Sequence, residues 1–335
     1  ANQILTELQQ DPDFWFNADL ILEHSKDNNT KFIALKSLEA TIQNRWKIMP
    51  KDQKDAIKSY VVNMIVDLGA KLADSSYHSL ISKADSILVE IIKQEWGNGM
   101  EGFIKDIVDS SKKNQDICEN SLYLLKMLSE EIFDYSKHSM SSTQTRELKE
   151  SMQKDFQMIF DLCHFVIKSY LDNSSQVRLS LIEGCLETLY AFLSWIPLAY
   201  IFMTELIDNL IQLFEHKDLK NQSLKCLIEI VILPVGDGND DETSQIKEKI
   251  FKLYTSFIYK LGNFVPYDIS LAQERGKMEK NNAQNLGMFD EFCQQLALFL
   301  SGFFKTHLEW LEPLANDNTN LEQVNIMESI KKGFG

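Results

Sequence analysis

An all-α chain of antiparallel helix pairs stacked into a solenoid is the architecture this sequence predicts, and three observations carry it. Only 13 Gly and 6 Pro punctuate 335 residues, which leaves room for long uninterrupted helices. Leu, Ile, Lys, Glu, Gln and Ala fill the stretches between, a composition of helix formers rather than of short strands. Apolar residues recur at steps of three and four, which gathers them on one stripe of each helix. Each pair is too thin to bury its own stripe, so stacked neighbours supply the core. Units of roughly 35–75 residues, irregular in length, describe a HEAT-type α-solenoid, with a compact helical bundle as the alternative.

Residues 1–10 place Ile4, Leu5 and Leu8 on one side of a helix that Asp11-Pro12 ends, and Trp15 and Phe16 open a short helix to about Ser25. From Asn29, the residues Phe32, Leu35, Leu38, Ile42 and Trp46 form the inward stripe of a helix that Pro50 stops. Its remaining face carries Ile33, Lys36, Ser37, Ala40, Gln43, Asn44 and Lys47, a mixed surface that suits a partner better than bulk water. Asp52 to about Ala73 follows, with Ile57, Tyr60, Val61, Met64, Ile65 and Leu68 inward. The next helix, Ser79 to Trp96, ends on a tryptophan as its predecessor in the preceding pair ends on Trp46, which is a repeat signal.

Met100–Ser111 pairs with Ile117–Tyr135, and a polar link, Ser136–Gln144, leads to Arg146–Leu171 and its partner Gln176–Trp195, stopped at Ile196-Pro197. Another pair spans Tyr200–His216 and Leu219–Leu233 and stops at Pro234. An acidic loop, Val235–Thr243, precedes the last full pair, Ser244–Val265 and Asn285–Leu311, and a final helix is predicted at about Glu322–Lys332.

The formal charge of −15 argues against broad nucleic-acid binding, which gains affinity from Lys and Arg set against phosphates. A protein partner, a basic one in particular, is the better expectation. Cys118, Cys163, Cys185, Cys226 and Cys293 lie far apart in apolar helical runs and read as reduced core thiols. The most apolar run, Leu189–Met203, is shorter than the ~20 residues a membrane span needs, and Pro197 interrupts it. The chain starts at Ala1 without Met or signal peptide, so we expect it to begin inside a longer protein.

Catalytic and metal chemistry finds little support. Asp237, Asn239, Asp241 and Glu248 have part of a calcium-loop spacing, yet Glu242 stands where such a loop turns on Gly, so a solvated acidic loop is expected. The six histidines are scattered without a zinc spacing, and no phosphate loop or nucleophile elbow occurs. Cys163 and His164 are sequence neighbours that point about 100° apart on a helix. Asn28-x-Thr30, Asn173-x-Ser175 and Asn221-x-Ser223 match the glycosylation pattern but carry little weight without a secretory signal. No enzyme activity, cofactor or metal is expected.

Several segments carry a family resemblance. Ile4-Leu-Thr-x-Leu8 followed by Pro12-Asp-x-Trp15 resembles the N-terminal domain of importin-β-like transport receptors, the karyopherins. Asn29-Thr-Lys31, Arg45-Trp-Lys-Ile-Met-Pro50, Ile87-Leu-Val-Glu-Ile-Ile-Lys-Gln-Glu-Trp96 and Leu125-Lys-Met-Leu-Ser-Glu-Glu-Ile-Phe-Asp134 are similar to the exportin-1 branch of that family. So are Phe192-Leu-Ser-Trp-Ile-Pro-Leu-Ala-Tyr-Ile-Phe202 and Ser223-Leu-Lys-Cys-Leu-x-Glu-Ile230, and the likeness thins between Gly236 and Lys280.

The resemblance implies a nuclear export receptor for leucine-rich signal cargo, shuttling between nucleus and cytoplasm. It implies Ran in its GTP form as a partner on the first repeats, contact with Phe-Gly nucleoporins, a monomeric state, and no direct nucleic-acid or membrane partner. Ran-binding repeats are expected over residues 1–135, continued by further repeats over 136–335. On the helix from Asn29, the implied Ran face is Ile33, Lys36, Ser37, Ala40, Asn44 and Lys47. Aligning Trp96 with Trp46 transfers it to Lys83, Ser86, Glu90, Lys93 and Gln94. Against the family pattern, the first helix of the first repeat, the central export-signal groove, the Ran-holding acidic loop and the C-terminal regulatory helix have no counterpart here, so no cargo groove is expected. A HEAT-repeat scaffold that binds proteins independently of Ran is the alternative from a different class.

Overall fold

The computed structural model describes residues 17–69, 71–72, 74–95, 102–133, 142–193, 196, 198–235, 241–262 and 283–316. The predicted helix over 1–10, Trp15, Phe16, Trp96, Trp195, Pro197, the acidic segment 237–240 and the helix over 322–332 lie outside them. Among the described residues the regular structure is helical throughout: thirteen α-helices and two 3-10 turns. The fold is the predicted all-α, HEAT-type arrangement of helix pairs.

Two compact units divide the described residues. The first comprises those up to Leu162 together with Arg178–Thr188; the second comprises Cys163–Val177 and those from Leu189 onward. In the first unit α1 (Ala18–His24) packs on α2 (Asn28–Arg45), α3 (Lys51–Gly69) on α4 (His78–Glu95), and α5 (Phe103–Ser111) on α6 (Gln115–Phe133). Second helices also pack side by side, α2 on α4 and α4 on α6. Helices α7 (Ser142–Asp172) and α8 (Leu179–Leu193) contribute residues to both units. The second unit adds α9 (Leu198–Phe202), α10 (Leu206–Phe214), α11 (Lys220–Val231), α12 (Asp241–Leu261) and α13 (Ala283–Asn316), with α10 packed on α11 and α12, and α11 on α13.

Local chemistry explains the boundaries. Asp27 caps α2, its carboxylate accepting from the backbone of Asn29 and Thr30 and from the Thr30 hydroxyl at 2.7 Å. Of the predicted stripe, Leu35, Leu38, Ile42 and Trp46 are in the core and Phe32 is half-buried, and Trp46 opens a 3-10 turn (Trp46–Ile48) beyond the end of α2. Helix α4 is covered on several sides by α2, α3 and α6, so even Asp85, Glu90 and Lys93 are buried in it. The helix expected over Tyr200–His216 is two, because the Thr204 hydroxyl donates to the Tyr200 carbonyl at 2.7 Å and accepts from the Leu206 N–H. A side chain that bonds its own backbone in this way ends one helix and caps the next.

The second unit is packed by aromatics. Tyr254 stacks on Phe303 with centroids 4.0 Å apart, Phe257 lies 4.1 Å from Phe299, and Phe214 lies 4.9 Å from Phe257. His307 is fully buried, its Nε2 donating to the Val231 carbonyl at 2.7 Å while Nδ1 accepts from the Trp310 indole. Burial lowers its pKa, consistent with the neutral ring this pairing requires.

Candidate partner-binding surface

The second helices α2, α4 and α6 of the first unit border a cleft of about 470 Å³. Glu39 and Gln43 reach it from α2, Ser86, Val89, Glu90, Lys93 and Gln94 from α4, and Met127 and Glu131 from α6. Helical spacing puts 39 and 43, then 86, 90 and 93, then 127 and 131 on single faces, so one surface of three helices converges here.

Glu39 ties α2 to α4, taking the Lys83 ammonium in an ion pair and the Ser86 hydroxyl at 2.8 Å. Lys83 also lies 6.0 Å from the centre of the Phe32 ring. Lys93 ties α4 to α6, with its ammonium 3.1 Å from both Glu90 and Glu131. Burial alone would lower the Lys93 pKa, but the Glu90 and Glu131 carboxylates outweigh it and hold the ammonium charged. Gln94 donates to the second Glu90 oxygen at 3.2 Å. Three carboxylates and one ammonium therefore line the cleft, leaving it acidic.

The face expected from the sequence divides in two. Lys83, Ser86, Glu90, Lys93 and Gln94 are brought together around the cleft, with Lys83 and Lys93 already held by carboxylates. Lys36, Ala40 and Asn44 are exposed, and Ile33 and Ser37 half-buried, on the side of α2 opposite Leu38 and Ile42, and Lys47 is exposed in the 3-10 turn that follows. Within that side Asn44 donates to the Ala40 carbonyl at 2.7 Å, and Thr41 donates to the Ser37 carbonyl at 3.0 Å. Lys36, on the same side of α2 as Gln43, and Lys47, in the 3-10 turn that follows, add exposed positive charge.

Sequence reasoning missed Glu39, Val89, Met127 and Glu131, and kept Gln43 on the mixed face of α2 while leaving it out of the implied Ran face. A signal for Glu131 existed: the repeat that carried the face from α2 to α4 continues one pair further to α6. None existed for Glu39, whose partners stand 44 and 47 residues away. Carboxylates, amides and ammonium groups in this arrangement suit non-covalent pairing with another charged surface.

Similarity to known proteins places the chain in a family. A profile described as "Importin-beta N-terminal domain" matches residues 1–67, and one described as "Exportin 1-like protein" matches residues 78–227, a span that holds α4 to α10 and most of α11. The protein EXPORTIN 1B of Arabidopsis thaliana is 37% identical over 324 residues, covering 96% of this chain and 28% of its own length. This chain belongs to the exportin-1 family. Further exportin-1 relatives are those of Dictyostelium discoideum, 36% identical over 94% of this chain and 29% of its own, and Drosophila melanogaster, 40% identical over 76% and 23%. The chain thus spans less than a third of the length of these exportin-1 relatives, which are named as exportins and not as enzymes. A solved engineered protein aligns with 86% of the chain at 12% identity and a TM-score of 0.38, a likeness too distant to carry an argument.

Proposed function

We propose that this chain is part of a nuclear export receptor and binds Ran in its GTP form through the second helices of its first repeats. The observation that carries the reading is the convergence of α2, α4 and α6 on one acidic cleft, with exposed Lys36 on α2 and exposed Lys47 just after it. Membership of the exportin-1 family supports it, as does the match of the importin-β N-terminal profile to the segment that holds α1 and α2. Charge complementarity would fix orientation and speed encounter, with the bound GTPase reading both the cleft carboxylates and the α2 cations.

In this reading residues 1–135 are the Ran-binding repeats and residues 136–335 continue the array. Cargo with leucine-rich export signals would be held by other segments of such a receptor, and Phe-Gly nucleoporins would be met during passage through the pore. The protein would shuttle between nucleus and cytoplasm as a monomer, without direct contact to nucleic acid or membrane. Among the described residues no helix is long and apolar enough to cross a membrane. The test compares binding to Ran loaded with a non-hydrolysable GTP analogue and with GDP. Preference for the GTP form supports the reading, and equal binding would favour a scaffold that works independently of Ran.

A further inference from the structure

Polar side chains join α4 to α6 at successive points along the two helices. The Ser82 and Tyr123 hydroxyls lie 3.1 Å apart, the Asn120 amide N–H donates to Asp85 Oδ1 at 3.4 Å, and Lys93 reaches Glu131 at 3.1 Å. The middle link is buried and half made. Asp85 is fully buried and Asn120 is 6% exposed, yet Asp85 Oδ2 and Asn120 Oδ1 have no hydrogen-bond partner among the described residues.

An ionised Asp85 would leave both oxygens as buried acceptors without a donor, and would rest a buried charge on a single long hydrogen bond. A proton on Oδ2 changes this, because a protonated carboxyl is a donor as well as an acceptor. A carboxylic acid and a primary amide are complementary in shape: one acid oxygen accepts the amide N–H while the acid O–H donates to the amide carbonyl. The first of these bonds is present, and the second needs only the proton.

The charged groups on the elements around Asp85 are engaged with one another. Glu39 of α2 holds Lys83, and Lys54 and Lys58 of α3 face Glu95. On α6, Glu119 meets Arg178 at 3.2 Å, Lys126 meets Glu187 of α8 at 2.7 Å, and Glu131 meets Lys93. Tyr77, in the 3-10 turn before α4 (Ser75–Tyr77), has Lys71 4.9 Å from its ring centre. Burial pushes the Asp85 carboxyl up to about 8 against the opposing Asn120 amide, and no charged group among the described residues adds to these two influences.

We propose that Asp85 carries a proton on Oδ2 and donates through it to Asn120 Oδ1, forming a latch between α4 and α6 that opens when the proton leaves. Lys93 stands about two turns further along α4, so the latch and the Lys93–Glu131 joint hold the same two helices. Those helices supply two walls of the acidic cleft, and the latch fixes how they sit against each other. It is independent of what the cleft binds.

The test follows the full chain by NMR with isotope-labelled side-chain carbons in Asp and Asn, from about pH 6 to about pH 9.5, beside backbone hydrogen exchange corrected for its intrinsic pH dependence. One aspartate carboxyl, missing from Asp85→Asn, is expected to titrate near 8. The Asn120 side-chain carbonyl should shift with the same midpoint. Exchange in α4 and α6 should rise at least about fivefold across that midpoint, the worth of one hydrogen bond. In Asp85→Asn, whose amide keeps a donor toward Asn120 at every pH, exchange should stay level. If that variant fails to fold, the joint movement of the Asp85 and Asn120 signals in the parent decides the matter. An Asp85 carboxyl already ionised at pH 6, an Asn120 carbonyl indifferent to the Asp85 titration, or an equal rise of exchange in the parent and in Asp85→Asn overturns the proposal.

Discussion

The indole nitrogen of Trp46 donates to the Glu95 carboxylate at 2.8 Å, joining the end of α2 to the end of α4 across 49 residues of sequence. The other oxygen of Glu95 takes Lys58 of α3 at 3.4 Å, so one carboxylate fastens three helices. Lys54 adds its charge from 3.9 Å and lies 5.8 Å from the Trp46 ring. Trp46 is 2% exposed, and its bulk and its hydrogen bond act at the same joint.

Trp46→Ala is expected to lower stability by ~3–5 kcal/mol through the cavity it leaves. Trp46→Phe retains most of the bulk and gives up the donor, for a loss of about 1–2 kcal/mol. Urea denaturation of both variants separates the contributions. Unchanged midpoints would remove Trp46 from the core.

Asp85 is fully buried, and burial pushes its carboxyl up to about 8, with the Asn120 hydrogen bond opposing the shift in part. The folded chain therefore holds this proton more tightly than the unfolded chain, whose aspartate titrates near 4. Between those values unfolding releases a proton, so this group's contribution falls as pH rises and levels off above about 8. Asp85→Asn, similar in shape and permanently neutral, should gain stability over the parent by a margin that widens from pH 5 to pH 8. Parallel stability curves for the two proteins would contradict this.

Two helix glycines are expected to respond to alanine with opposite sign. Gly184→Ala adds a methyl to open space and should stabilise by about 0.5–1 kcal/mol. At Gly302 of α13 an added Cβ would come within 2.6 Å of Ile232 Cγ2, and a β-branched neighbour yields poorly. Gly302→Ala should cost about 1–3 kcal/mol. Thermal melts of the two variants check the pair directly.

Charge reversal should separate the two halves of the expected face. Lys93 is 8% exposed between Glu90 and Glu131, so Lys93→Glu crowds three carboxylates together and should cost about 3 kcal/mol or more. Lys36 is exposed, and Lys36→Glu should leave stability within about 0.5 kcal/mol. A binding defect in the first variant would report on folding, and one in the second on the surface. Melting curves of equal midpoint for the two would contradict the division.

How much of this was legible in the sequence depended on the range of the interaction. The stripe of Leu35, Leu38, Ile42 and Trp46 was readable because burial imposes the helical period locally, and all four are buried. The break at Thr204 was not, since a hydroxyl turned onto its own backbone leaves no mark in apolar spacing. Lys93 and Glu90 read as surface residues because α4 is covered on more sides than one stripe can reveal. Glu39 gave no signal in the sequence because its partners, Lys83 and Ser86, belong to the next helix pair. Periodicity thus gave the helices and their inner faces, whereas the polar joints between second helices became visible only once those helices were set side by side.

The central claim is tested most directly by measuring the affinity of this chain for Ran carrying a non-hydrolysable GTP analogue and for Ran carrying GDP. The pair of measurements is repeated on the double variant Lys36→Glu, Lys47→Glu after its melt has matched the parent. The account predicts tighter binding of the GTP form and a several-fold loss of it in the double variant. Equal affinity for the two nucleotide states, or GTP-form binding indifferent to the double reversal, would contradict it.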